Sequence, residues 1–189
     1  SENVNVLIAE KYSRAANGGV GFAKAAGNYA AQFYPTSLAQ KQGYEQIIWT
    51  DANNHEYLEE AGTMNIFFRI GDNLITTPNN DRILDGVTRK SIIELCEFLK
   101  INIEVRPISV KELLSAHKDN SLKEIFGSGT AVVILPIKGF SYKNIHYNIL
   151  ESKDPKSEFL KKKIMDIQYN IGEDPFKWRY KLPKLTFPK

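Results

Sequence analysis

Lys24 is the only charge in Gly18-Gly19-Val20-Gly21-Phe22-Ala23-Lys24-Ala25-Ala26-Gly27-Asn28-Tyr29, with Phe22, Ala23, Ala25 and Ala26 beside it. Four glycines in ten residues let the backbone take positive φ angles and come close to something bulky, and they weaken any helix or strand they interrupt. An amine in apolar surroundings has a disfavoured ammonium form, the property a Schiff-base lysine needs. The segment starts like a dinucleotide fingerprint but carries lysine where the last glycine belongs, and no Gly-Lys-Ser/Thr follows, so both familiar phosphate motifs fail. On these residues alone the alternative is a glycine loop carrying a solvated lysine.

Other residues could act with that amine. Glu60 in Glu60-Ala61-Gly62-Thr63-Met64-Asn65 offers a carboxylate, and Leu84-Asp85-Gly86-Val87-Thr88-Arg89 leads into a helix whose unpaired N–H groups favour an anion. Phe126-Gly127-Ser128-Gly129-Thr130-Ala131 offers hydroxyls and free backbone donors. Each has a plainer reading: a solvated glutamate beside Glu59, a helix-entry glycine, an ordinary turn. His55, His117 and His146 lie far apart without ligand spacing, so no metal site is expected. No Gly-x-Ser-x-Gly elbow suggests a hydrolase.

The elements that must position these residues mix strands and helices without strict alternation, which favours an α+β fold. Val4 to Glu10 reads as a strand feeding the glycine segment, and Asn28 to Gln42 as a helix ended by Gly43 and kinked or restarted at Pro35. Ile47-Ile48-Trp49 is a buried strand, and the turn Asp51 to Asn54 returns the chain to deliver Glu60 to the core. Asn65 to Ile70 and Leu74 to Thr77 form a hairpin about Gly71-Asp72-Asn73. A helix follows over Thr88 to Lys100, with Ile92, Leu95, Cys96 and Leu99 at helical spacing. Ile103 to Val105 is a strand, Ser109 caps a helix to His117, and Ile145 to Ile149 is an edge strand. Thr130 to Ile137, nearly all apolar, reads as a central strand, and Pro155 to Ile171 as a helix with lysines on its outer side.

The chain has 189 residues, 42% hydrophobic and 25% charged, enough for one well-buried core. Its net charge of +3 is too balanced to argue for nucleic acid or an acidic membrane. The alternating aromatic and basic tail, Phe176 to Lys181, fits packing on its own domain better than a nucleic-acid groove. Cys96 is the only cysteine, so an internal disulfide is impossible and a reducing, cytoplasmic setting is expected. No apolar run reaches transmembrane length, and the first residues lack a signal-peptide layout.

The four segments containing Lys24, Glu60, Gly86 and Thr130, with Asp166-Ile167-Gln168-Tyr169 near the end, resemble in the same order those of branched-chain amino-acid aminotransferases. The likeness covers residues 4 to 171 and points to the larger, eukaryote-like branch of the fold-type IV pyridoxal phosphate enzymes. It implies a distorted barrel of mostly antiparallel strands surrounded by helices, pyridoxal 5'-phosphate as cofactor, and homodimers. Family members are about twice this length, so residues 1–171 resemble the carboxy-terminal domain and 172–189 a tail, with an amino-terminal domain absent.

The resemblance assigns Lys24 to the cofactor aldehyde and to movement of the substrate α-proton. It puts Glu60 at the pyridine nitrogen, Tyr29 at the phenolic oxygen, Leu84 on the ring face, and Val87, Thr88 and Thr130 at the phosphate. Thr63 and the Ala131 N–H are placed at the substrate carboxylate. Leucine, isoleucine and valine with 2-oxoglutarate and glutamate are the implied substrates. Val132 and Leu135 stand where some members carry a Cys-x-x-Cys pair, which excludes thiol control there. Competing expectations are a non-catalytic association domain, a D-amino-acid aminotransferase and an aminodeoxychorismate lyase.

Overall fold

Two long strands build the frame, and their period-two alternation divides the core. In the computed structural model, which describes residues 4–183, β4 (Met64–Ile70) pairs antiparallel with β7 (Leu122–Gly129), from Asn65 opposite Ser128 to Ile70 opposite Leu122. Ile66 and Phe68 send their side chains to one face, where Val110, Leu113 and Ala116 of α3 (Val110–Lys118) complete a core. Phe67 points the other way and stacks on Phe126 at 5.0 Å between centroids. That second core is closed by Ile92, Leu95 and Cys96 of α2 (Val87–Phe98) and by Leu160 and Ile164 of α4 (Lys156–Gln168). Burial pushes the Cys96 thiol up to about 12, which leaves it an inert packing residue.

Eight further strands complete the sheet: β1 (Asn5–Ile8), β2 (Gln46–Thr50), β3 (Leu58–Ala61), β5 (Asn73–Thr76), β6 (Ile103–Val105), β8 (Val133–Ile137), β9 (Gly139–Tyr142) and β10 (Ile145–Asn148). Their order is β10-β9-β1-β2-β3-β4-β5-β6, with β7 and β8 branching from the other edge of β4. β4 therefore serves three ladders: β3 at its start and β5 at its end on one edge, β7 along the other. Only the β1–β2, β1–β9 and β5–β6 pairs are parallel. The expected α+β domain of mostly antiparallel strands with helices around them is present, as an open sheet rather than a closed barrel.

Helix boundaries follow their local chemistry. Ser109 accepts the Glu112 N–H at 3.0 Å and starts α3 as expected. α1 (Ala26–Lys41) packs Ala39 beside Ile47 and Trp49, and it runs through Pro35 to stop just before Gly43, whose φ is +89°. Two strand expectations need correction. Thr130 to Ile137 is not a central strand: β8 starts at Val133 and pairs only with β7, and its apolar Ile134 is covered by helices. The central place belongs to β7, whose Gly127-Ser128-Gly129 lies in the strand and not in a turn. At Gly127 a Cβ would fall 2.7 Å from the Met64 Sδ, so a side chain there would displace the Met64 thioether. β9, packed between β1 and β10, was not anticipated. No described helix is long and apolar enough to cross a membrane. Of the tail, residues 184–189 lie outside the described residues.

The start of α4 is held by a buried acid on the central strand. Glu124 accepts the Lys156 and Ser157 N–H groups at 2.8 and 2.9 Å and the Ser157 hydroxyl at 2.6 Å, while Arg69 Nη1 donates to it at 3.0 Å. Glu124→Ala removes the cap and leaves Arg69 without its carboxylate, so urea unfolding should show a loss of about 3–5 kcal/mol. A loss below about 1 kcal/mol, the range of an exposed pair, would mean the Arg69 charge is solvated.

Candidate active site

Strand register places three polar side chains in one row. Glu60 on β3 is the Cα partner of Asn65 on β4, and Asn65 is the partner of Ser128 on β7, so all three share a face. That face is the one Phe67 and Phe126 occupy two residues further along, and the row therefore lies at the amino-terminal end of α2. All three residues are buried. Asn65 Nδ2 donates to the Leu84 carbonyl at 2.7 Å, and a Cβ on Gly86 would come within 2.0 Å of Asn65 Oδ1. Gly86 is thus demanded by Asn65, which the sequence did not show.

The lysine segment is a pinned loop. Asn28, at the start of α1, donates through Nδ2 to the Val20 and Ala23 carbonyls, both at 2.8 Å. Arg14 Nη1 donates to Gly21 O at 3.1 Å and to Arg82 O at 2.6 Å. Phe22 N–H donates to Asp81 O at 3.1 Å, the Gly18 N–H bonds the Asp81 carboxylate, and Arg82 reaches Asn17. At Gly21 a Cβ would meet the Arg82 backbone at 2.7 Å. The glycines allow the lysine loop to dock on the Asp81–Arg82 turn rather than only to surround a ligand.

These elements enclose a cavity of about 740 Å³. Lys24, Tyr29, Thr63, Leu84, Val87, Thr88, Thr130 and Ala131 all line it, together with Asn65, Gly86, Ser128, Val132 and Leu135. Glu60 is not in the wall. It is 2% exposed and reaches the wall through the Leu84 N–H, with Asn65 as its strand neighbour. Asp85, the acid in the wall, is engaged by Lys90 and Asn79. Gly86 stands at the N-cap of α2 without a side-chain cap, and the first turn carries no acid, so its N–H groups and dipole face the cavity mouth uncompensated. Arg89, buried in that turn, donates through Nη2 to the Thr77 carbonyl at 2.6 Å.

One expectation fails in part. Lys24 is exposed, as is Phe22 at 54%, so the amine does not sit in the enclosed apolar pocket that its neighbours in sequence suggested. The apolar residues of the loop face outward, and the backbone polar groups take the inner side.

Electrostatics concentrate behind the wall. Arg14 Nη1 lies 2.7 Å from Glu60 Oε1, but the N–H bonds of that nitrogen go to the two carbonyls. Glu60 Oε1 is consequently buried beside a positive charge without an aligned donor. Burial pushes the Glu60 carboxyl up to about 7, against the pull of Arg14 and the Leu84 N–H, with Glu59 adding to the rise. Glu59 is raised by its own burial and bonded by Arg82.

A family model described as amino-transferase class IV matches residues 8–140. The chain belongs to that family. Among relatives of this class IV aminotransferase chain is the probable branched-chain-amino-acid aminotransferase of Staphylococcus epidermidis, 40% identical over 187 residues, covering 97% of this chain and 51% of the relative. The Bacillus subtilis branched-chain-amino-acid transaminase 1 is 41% identical over 179 residues, covering 93% and 49%. The chain spans about half the length of the curated relatives it matches. The solved branched-chain amino acid aminotransferase from Escherichia coli superposes with a TM-score of 0.78 at 26% identity, covering 93% of this chain and 56% of that one.

Sequence reasoning about this class IV chain missed Arg14, Asn65 and Ser128. Only the strand register and the docking of the lysine loop bring them to the site, although Asn65 and Ser128 stood inside quoted motifs. The raised carboxyl gives a pH signature. From an ordinary value of 4.5, folded Glu60 holds its proton up to about pH 7, so its contribution favours the folded state below about pH 4.5 and is lost as pH rises through 7. At about 1.4 kcal/mol per tenfold in proton affinity, the fall amounts to a few kcal/mol. Unfolding titrations should show it, and Glu60→Gln should flatten the profile; an unchanged slope in that variant would assign the titration elsewhere.

Proposed function

We propose that this chain is the cofactor-lysine domain of a branched-chain amino-acid aminotransferase, with residues 1–171 forming that domain and 172–189 its tail. The observation that carries the reading is that eight residues from four separate segments, Lys24 and Tyr29, Thr63, Leu84 with Val87 and Thr88, and Thr130 with Ala131, line one cavity. The relatives named above bear the branched-chain aminotransferase name, which supports leucine, isoleucine and valine as donors; 2-oxoglutarate as acceptor is part of the proposal alone.

The residues fit pyridoxal 5'-phosphate on three grounds. The uncapped start of α2 suits a phosphate, the buried Glu60 has an oxygen without an aligned donor, and Lys24 lines the same cavity. When bound, the cofactor supplies an aldehyde for an amine and a ring that takes up the electrons left by the departing α-proton. Lys24 would take that proton from the substrate α-carbon and deliver it to the carbon that had been the cofactor's aldehyde. Glu60, flanked by Arg14 just behind the wall, would hold the proton of the ring nitrogen, and Tyr29 would donate to the phenolic oxygen. Val87, Thr88 and Thr130 would bind the phosphate with N–H and hydroxyl donors, and Leu84 would pack on the ring. Thr63 and the Ala131 N–H orient the substrate carboxylate.

Closure of the cavity falls to a further domain. Lys24, Thr63, Val87, Thr130 and Ala131 are all exposed, and the curated relatives have about as much chain again. Residues from that other half would exclude water from the amine and complete the side-chain pocket, in a cytoplasmic homodimer. The 189 residues alone should therefore turn over little leucine.

Borohydride reduction of the chain with pyridoxal phosphate, followed by peptide mapping, should label Lys24, and Lys24→Ala should lose the label. A label spread over other lysines, or retained in that variant, removes the site. Robust leucine turnover by these residues alone would refute the need for a second half.

A further inference from the structure

Asn65 touches both sides of the turn that leads into α2. Its Nδ2 holds the Leu84 carbonyl at 2.7 Å, and its Oδ1 occupies the space that a side chain at Gly86 would need, 2.0 Å from the built Cβ. The same residue is the strand partner of Glu60 on one side and of Ser128 on the other. It is 4% exposed and meets the turn between Leu84 and Gly86, where the N-cap of α2 lacks a side-chain bond and Asp85 is exposed and turned to Lys90 and Asn79; the flanking ties to the sheet are Glu60 on the Leu84 N–H and Arg89 on the Thr77 carbonyl. Backbone bonds from Gly86 N–H to Leu84 O and from Lys90 N–H to Gly86 O lie within the turn and do not fix it to the strands.

We propose that Asn65 is a positioning residue: by gripping Leu84 and Gly86 it sets the anion-binding mouth of α2 at a fixed place against the strand row that carries Glu60. This rests on the phosphate assignment made above, but concerns a residue to which that assignment gives no role. An amide is suited to the task because it offers a donor to the carbonyl and a compact second edge that fits against a residue without a side chain. Alanine would release both contacts, and aspartate would lose the donor and bring a negative charge toward an anion site.

Two ligands separate this role from general stabilisation. Pyridoxal and pyridoxal phosphate share the ring and aldehyde and differ in the anion, so the ratio of their dissociation constants reports the phosphate contribution. Asn65→Ala should weaken pyridoxal phosphate about tenfold, the scale of one hydrogen-bonded contact to a charged group, and leave pyridoxal within about threefold. Equal weakening of both ligands, or of neither, overturns the proposal. Inorganic phosphate, followed at the Val87 and Thr88 amide resonances, asks the same question without the cofactor. Saturable shifts in the wild type that Asn65→Ala loses support the role even if Lys24 takes no label. Shifts retained in the variant, or missing from the wild type, refute it. Gly86→Ala attacks the contact from the other side if Asn65→Ala folds poorly, and should weaken phosphate binding likewise. The double variant should be no weaker than Asn65→Ala alone, because the new methyl enters vacated space; additive losses would show that the two residues act separately.

Discussion

Arg14 is the constraint on which the arrangement of the site depends. One guanidinium nitrogen serves the Gly21 carbonyl of the lysine loop and the Arg82 carbonyl of the turn before α2, and its charge stands beside Glu60 on β3. Three segments remote in sequence are thereby tied at one buried point. Breaking a buried pair of this kind costs about 3–5 kcal/mol, because the remaining charge is left without compensation. The carboxylate is held next to a cation yet is not saturated by it, which keeps an acceptor available within the fold. Positive charge nearby and loss of water act on Glu60 in opposite directions, and burial prevails.

Around that point the protein separates rigid from open parts. The acid, Asn65 and Ser128 are embedded in the central ladders, while Lys24, Val87 and Thr130 stand on loops and a helix end at the surface. Such a division suits the site proposed above, whose inner groups are fixed by strands and whose outer groups stand on loops. The fixed groups gain their precision from strands, and the exposed ones from side chains such as Asn28 that clamp the loop backbone.

Much of this was legible in the residues. The turn residues Gly71-Asp72-Asn73 gave the β4–β5 hairpin, the capping serine gave α3, and the spacing of Ile92, Leu95 and Cys96 gave α2. The glycine-rich run marked the loop that presents Lys24, and the quoted motifs held most of the cavity wall. What escaped had a common cause. β7 was hidden because Gly127-Ser128-Gly129 has turn composition, although the glycine there answers a side chain on the adjacent strand. Apolar composition made β8 look central, when helix packing rather than flanking strands covers it. Lys24 looked dry from its neighbours in sequence, but a pinned loop turns those neighbours outward. Arg14 carried no motif at all; its role exists only once three distant segments meet.

The stack of Phe67 on Phe126 has a consequence beyond packing. Both rings belong to the same ladder that aligns Asn65 with Ser128, and a slip of one residue between β4 and β7 would send every side chain of one strand to the opposite face. Such a slip would bury a glycine where an aromatic ring belongs and tear apart the second core. The aromatic pair thus acts as a proofreader: a chain that has assembled its hydrophobic interior correctly has, by the same act, brought its chemistry into alignment.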